Sequence, residues 1–212
     1  MIFNTRRKYD GRPNLLIDGG DYLNVVEVFK LLGVMIRSDL KWFDNTDYIC
    51  IKGYSRLWML RRLVNLGATR SEMLDVYQKQ VRSVLEMAVP VWQPGLTQLE
   101  VKQIERVQRT AFYIILGDKY LSYENARDVL ESEELSERRV KLCGNFVGKA
   151  SKHQQFQNWF VENSDPIPNT TRHNKNIERN KYQPVKTRTD RYADSPIPYL
   201  TNILNTLSLK NP

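Results

Sequence analysis

Two short runs constrain this chain more than anything else in it. Thr69-Arg70-Ser71-Glu72 and Thr97-Gln98-Leu99-Glu100 each place a Glu three residues after a Thr. At that spacing the Thr hydroxyl accepts from the Glu amide and the Glu carboxylate reaches back to the Thr amide, so each run opens a helix. The first is followed by Met73, Val76, Tyr77, Val81, Val84, Leu85 and Ala88, with Pro90 expected to end or kink the helix. The second is followed by Ile104, Val107, Ala111, Ile114 and Ile115, with Gly117 as its stop. A third helical pattern starts at Asn45, where Tyr48, Ile51, Ser55, Trp58 and Leu63 approximate an inward stripe and Gly67 is the C′ residue. Ser122 and Ser136 are expected to cap helices over Tyr123–Leu130 and Glu137–Ala150, the latter turning Val140, Cys143, Phe146 and Val147 inward. Gly144 and Gly148 read as a packing notch on that helix. Leu85, Ile104, Val107, Ala111, Ile115 and Phe146 are the expected centre of the core.

Before this helical stretch the grammar is that of strands. Leu15-Leu16-Ile17 runs into Asp18-Gly19-Gly20, a hairpin-type turn, and Tyr22–Val28 is the expected return strand. Phe29–Ile36 is apolar apart from Lys30 and reads as one buried strand, in which Gly33 allows a bulge or a close backbone approach. After Phe160 periodicity is lost. Asp165-Pro166-Ile167-Pro168-Asn169 reads as a linker, Thr170–Asp194 as disordered, and Tyr199–Leu204 as a short helix started by Pro196 and Pro198. The fold class is therefore α+β, mostly α. A small N-terminal β-hairpin or three-stranded piece spans 1–43, a helical bundle spans 44–160, and a basic, largely disordered linker and tail spans 161–212.

Charge follows the same division. Residues 1–63 carry 11 basic and 7 acidic residues, 64–164 carry 13 of each, and 165–212 carry 8 and 4. A neutral middle is what a packed helical body requires, and basic flanks point to a polyanionic partner, because each phosphate contact releases condensed counterions. The longest apolar run, Ala111–Leu116, falls far short of the ~20 residues of a membrane span. Charge begins at Arg6, so no signal-peptide core is expected, and the expected location is intracellular. Cys50 and Cys143 are too few for a disulfide framework or a zinc quartet and read as core thiols.

Catalytic chemistry finds little purchase. Tyr192-Ala193-Asp194 is followed by Ser195, so it lacks the second carboxylate that a two-metal site needs. Asp10, Asp18, Asp21 and Asp39 have no supporting ligands, and Asp18 and Asp21 flank a turn, where Asp is ordinary. His153 and His173 sit in polar surroundings and read as solvated. No catalytic residue, metal site or cofactor is assigned. A basic and aromatic surface remains: Lys52, Arg56, Arg61 and Arg62 on one helix, with Tyr54 and Trp58 among them, and Lys30, Lys41 and Trp42 just before it. Cations track phosphates and aromatic faces stack on bases, so this mixture suits nucleic acid. Trp58 is more readily explained as a core anchor. The competing account is a helical protein-interaction module whose basic ends serve solubility. The two differ in whether Lys30, Lys41, Arg56, Arg61 and Arg62 converge beside the hairpin.

Several of these segments carry a resemblance. Phe29-Lys30-Leu31-Leu32-Gly33-Val34 resembles the primer grip of reverse transcriptases from non-LTR (LINE-type) retrotransposons, with Leu31, Leu32 and Gly33 at its centre. Asp39-Leu40-Lys41-Trp42 resembles the lead into their thumb, and Arg56-Leu57-Trp58-Met59-Leu60-Arg61-Arg62-Leu63 its first helix. Leu85-Glu86-Met87-Ala88-Val89-Pro90-Val91-Trp92, Ile104-Glu105-Arg106-Val107-Gln108-Arg109 and Ser195-Pro196-Ile197-Pro198-Tyr199-Leu200 resemble later segments of the same reading frames. The resemblance implies the end of a palm, a thumb and a tail that hold template and primer. Fingers, catalytic carboxylates and the Mg²⁺ they bind belong to the parent enzyme and would lie before Met1. The chain as it stands is then expected to be no enzyme, but a binder of template–primer nucleic acid.

Overall fold

The computed structural model describes residues 26–163 and 181–210. The expected strands over Leu15–Ile17 and most of Tyr22–Val28 lie outside the described residues. Strand β1 (Val28–Leu31) pairs antiparallel with β2 (Val34–Arg37), with Leu31 opposite Val34. Phe29–Ile36 is therefore a hairpin and not one buried strand. Leu32 and Gly33 form its two-residue loop with φ of 47° and 88°. Two successive positive φ values match the twist of the flanking strands, and Gly33 takes its value without strain. The expected close approach is present too, since a Cβ on Gly33 would stand 2.8 Å from the Met87 Cε. A two-stranded ribbon covers only one face, so Val34 is buried while Phe29, Leu31 and Leu32 are exposed.

The chain forms two compact units, one of residues 1–87 with 96–132 and the other of 88–95 with 133–212. The helical stretch expected as one body over 44–160 is divided between them. In the first unit, α1 (Phe43–Asn65) ends with Leu66 as its cap and Gly67 at φ 73°, as its sequence requires. Its inward face is Asn45, Thr46, Ile49, Cys50, Gly53, Leu57 and Leu60, a different stripe from the expected one. Ile51 and Trp58 point to solvent. The aromatic residues suggested the wrong face because the true one uses small side chains. At Gly53 an added Cβ would meet Val107 Cγ1 at 2.9 Å and Leu85 Cδ2 at 3.0 Å, so the missing side chain is what lets its neighbours approach.

Helix α2 (Arg70–Val76) opens on the full Thr69–Glu72 capping box. It runs on through a π-helical stretch, Tyr77–Arg82, into α3 (Ser83–Leu85). Pro90 does not end this helix. The chain leaves it at Glu86, turns through Ala88 at φ 54°, and Pro90 then lies in the first turn of α4 (Val89–Trp92), where its missing N–H costs nothing. The second capping box opens α5 (Gln98–Leu116), closed by Gly117. Ser122 caps α6 (Tyr123–Val129) by accepting from the Asn125 amide.

The core of the first unit contains Leu57, Leu60, Tyr77, Val81, Leu85, Ile104, Val107, Ala111 and Phe112, all without solvent contact. Tyr77 meets Phe112 edge-on at 5.4 Å between ring centres, and Phe112 stacks near Tyr123 at 6.1 Å. A polar string crosses this core. The Tyr77 hydroxyl donates to Gln108 Oε1, Gln108 Nε2 donates to the Tyr123 oxygen at 2.8 Å, and Tyr123 donates to Glu105. Burial holds the Tyr77 phenol well above its ordinary pKa, so it stays a donor.

In the second unit α7 (Leu135–Ala150) is capped at Glu134, not Ser136, and buries Leu135, Arg139, Cys143, Val147 and Ala150. Val140 and Phe146, expected inside, are 44% and 37% exposed, so Phe146 is no part of the expected core. Arg139 takes the inward position because its Nε donates to Gln93 Oε1 at 2.7 Å. Cys50 and Cys143 are buried and not joined in a disulfide, in keeping with core thiols. Burial pushes the Cys143 thiol up to about 11.

The tail is more ordered than its composition suggested. Within the expected disordered stretch, Lys181–Asp194 is described and contains α8 (Asp190–Ala193). The final helix, α9 (Pro196–Lys210), is far longer than the Tyr199–Leu204 expected. Tyr182 is buried, bridges to Glu162, and exchanges both backbone bonds with the Asn205 side-chain amide, at 2.8 and 3.1 Å. The amide acts as a strand neighbour would, a role no propensity scale records. α9 also accounts for one half of the glycine notch. A Cβ on Gly144 would touch Leu207 and Ile203 at 3.5 and 3.8 Å, whereas Gly148 faces open space. The linker 165–169 and His173 lie outside the described residues.

Candidate nucleic-acid interface

The hairpin is fastened to the first turn of α1 by polar contacts. The Met35 amide donates to Asn45 Oδ1 at 3.1 Å, which explains why Asn45 is buried. Arg37 lies over the Phe43 ring at 4.7 Å and pairs with Asp39 and Asp44 at 3.0 and 3.3 Å. This fixes the β1–β2 ribbon against the helix and brings Lys30 of β1 over α1.

There the two elements build one cationic cluster. Lys30 Nζ stands 5.0 Å from the centre of the Tyr48 ring, and Lys52 Nζ stands 4.6 Å from the same centre. Each ammonium is attracted by the negative face of the ring, but the two repel one another. Neither has a carboxylate within ion-pair distance among the described residues. Lys30 first, and then Lys52, holds the Tyr48 phenol below its usual pKa. The result is an uncompensated pair of positive charges at the junction of hairpin and helix. Two ammoniums that share no carboxylate gain by placing an anion between them.

The other expected contacts divide. Arg56 follows Lys52 by one turn on the same edge of α1, and its Nη1 donates to the Gln80 carbonyl. Lys41 is exposed, but its ammonium lies 3.9 Å from Asp39. Trp42 is buried at the start of α1 and offers no face for stacking, a correction to its expected binding role. Leu31 and Leu32 are exposed at the hairpin tip, and Gly33 turns the chain there. Arg61 and Arg62 are both exposed. At 3.6 residues per turn Arg61 lies about 180° around the helix from Lys52, and Arg62 about 80°. The cations therefore do not converge as one groove. Lys30, Lys52 and Arg56 gather at one edge of α1, while Arg61 faces away from them. Trp58, expected as a core anchor, is 59% exposed on the outer face with Ile51 and Tyr54.

Three cations of α5 escaped the sequence reading: Lys102, Arg106 and Arg109, all exposed. Their signal was present in the spacing, since steps of four and three keep them on one helical face opposite the apolar stripe. Among the described residues no group of three or more side chains could hold a metal ion, and no helix is long and apolar enough to cross a membrane. His153 is exposed, as expected. Compared with family models, curated proteins and solved structures, the chain matches none.

Proposed function

We propose that this chain is a piece of a non-LTR retrotransposon reverse transcriptase that binds the phosphate backbone of a template–primer without carrying out the polymerase reaction. The observation that supports binding most is the convergence of Lys30 and Lys52 on Tyr48 with no carboxylate between them. The retrotransposon origin rests on the resemblance of the hairpin and helix segments alone. In this reading the hairpin places Lys30 beside the nucleic acid, and α1 carries Lys52 and Arg56 along it. Contacts of this kind are to phosphate, so binding is independent of base sequence and depends steeply on salt. The catalytic carboxylates and their Mg²⁺ belong to the parent enzyme in this proposal, and none of the residues assigned here moves a proton or a phosphoryl group.

Fluorescence anisotropy with an RNA–DNA hybrid over a salt series tests the reading. Each phosphate neutralised contributes a slope of ~0.9 through the counterions it releases, so Lys30→Ala with Lys52→Ala should flatten the salt dependence by about 1.8. An unchanged slope in that variant removes the basis for this site. A second reading, a helical protein-interaction module, is favoured by the failure of Lys30, Lys41, Arg56, Arg61 and Arg62 to converge on one face, and by the exposed stripe Ile51, Tyr54 and Trp58 on α1. It expects Trp58→Ala to abolish capture of a protein partner while hybrid binding stays weak in wild type and variant alike.

A further inference from the structure

The outward face of α5 has a composition its structural role does not require. Leu99, Lys102, Arg106, Arg109 and Tyr113 follow one another at steps of three and four, and all are exposed. Tyr113 shows 60% of its surface and meets Tyr120 edge-on, with ring centres 5.4 Å apart. The two acidic residues of α5 are both engaged, although Glu105 stands one turn before Arg109. Glu100 is buried in the capping box, and Glu105 faces Tyr123. Glu124, whose charge Arg109 feels, is drawn to its own backbone amide and to the Ser122 hydroxyl. Lys102 and Arg106 have no ion-pair partner among the described residues. The Arg109 guanidinium rests over the Tyr123 ring at 4.9 Å, which holds it in place without neutralising it.

We infer that this face of α5 is a binding site for single-stranded nucleic acid, in which Lys102, Arg106 and Arg109 follow the phosphates and Tyr113 stacks on a base. Three cations in a row suit a polyanion, whose successive phosphates each find a partner. The exposed ring at the end of the row selects among polyanions, because the bases of a single strand are open to stacking and those of a duplex are already stacked. The site shares no residue with the Lys30–Lys52 pair, so either can fail without the other.

The test measures binding of the full chain to a labelled single-stranded RNA 20-mer and to the corresponding duplex. For Lys102→Gln with Arg106→Gln the salt slope for the single strand should fall by about 1.4, at ~0.7 per phosphate on single strands. For Tyr113→Ala the single-strand affinity should fall roughly 5- to 150-fold, with the duplex affinity unchanged, since stacking on one aromatic ring accounts for an effect of that size. Tyr113→Phe keeps the stacking face and should bind as wild type, and circular dichroism of each variant verifies its helix content. Equal losses for single strand and duplex in Tyr113→Ala would overturn the stacking assignment. An unchanged single-strand slope in the double variant would overturn the site. Competition by polyglutamate as effective as that by the RNA would assign the face to an acidic protein instead.

Discussion

Gly53 lies where α1 packs closely on Val107 and Leu85, and replacing it by Ala tests the arrangement of the core of the first unit. In the middle of a helix, Ala is favoured over Gly by about 1 kcal/mol. At Gly53 the new methyl would stand 2.9 Å from Val107 Cγ1 and 3.0 Å from Leu85 Cδ2, well inside the ~3.5–4.0 Å at which carbon atoms rest. Both neighbours are fully buried, and Val is stiff at χ1, so relief requires a shift of α5 or of α3 with its Leu85 side chain. Overpacking of this kind costs ~1–3 kcal/mol. The net effect of Gly53→Ala is then a loss of roughly 1 kcal/mol, or ~2–4 °C in Tm for a chain of this size. Gly148→Ala is the internal control, because among the described residues nothing lies within 4 Å of the position its methyl would take and the full helix gain should appear. Urea unfolding followed by circular dichroism measures both. Adding Val107→Ala to Gly53→Ala should recover part of the loss, and that recovery is the coupling between the two sites. If Gly53→Ala stabilises the protein as much as Gly148→Ala does, α1 does not pack on Val107 and Leu85 as described.

The same geometry makes three further claims. Tyr48 should ionise below the ordinary phenol pKa in an absorbance titration, and Lys52→Ala should move it back up, because the depressed pKa arises from Lys30 and Lys52; the folded state accordingly gains stability as pH rises through the lowered Tyr48 pKa toward 10. Cys143, with its thiol raised to about 11, should resist Ellman's reagent at pH 8 until the protein is unfolded; its contribution to stability is complete below the unfolded pKa and is lost as pH rises through 11. Asn205→Ala should destabilise the second unit by ~1–3 kcal/mol in thermal unfolding, since it leaves the buried Tyr182 amide and carbonyl without their partner, and Asn205→Asp should cost at least as much at neutral pH, since it buries a carboxylate whose second oxygen faces the Tyr182 carbonyl.

How much of this could be read from the sequence depended on where the determining interactions lie. Helix starts were legible because a capping box is local, and both Thr69 and Thr97 make the bonds their spacing requires. The inward face of α1 was not legible. It is set by Gly53, Cys50 and Asn45, small or polar residues whose burial follows from contacts with distant segments such as Val107 and Met35. The loop at Leu32 and Gly33 was hidden by a Leu at positive φ, which the sequence reads as strand. Tail order was missed for a related reason, as a single Asn205 amide pins a segment whose composition favours disorder. At the site, the sequence supplied the cations but not their grouping. Lys30 and Lys52 meet because the ribbon docks at Asn45, while Arg61, close to Arg62 in sequence, points away. Trp42 and Trp58 exchanged their expected environments, since a tryptophan carries no local signal for whether its face of a helix is covered.

The central claim is that nucleic acid is held between Lys30 and Lys52. Lysine acetylation footprinting of the full chain, read by mass spectrometry with and without an RNA–DNA hybrid, addresses it directly. Acetylation of Lys30 and Lys52 should slow several-fold on binding, while Lys79, which pairs with Asp75 at 2.9 Å, and Lys141, which pairs with Glu133, should react at unchanged rates. Equal reactivity of Lys30 and Lys52 with and without saturating hybrid, alongside protection of lysines elsewhere in the chain, would contradict the account.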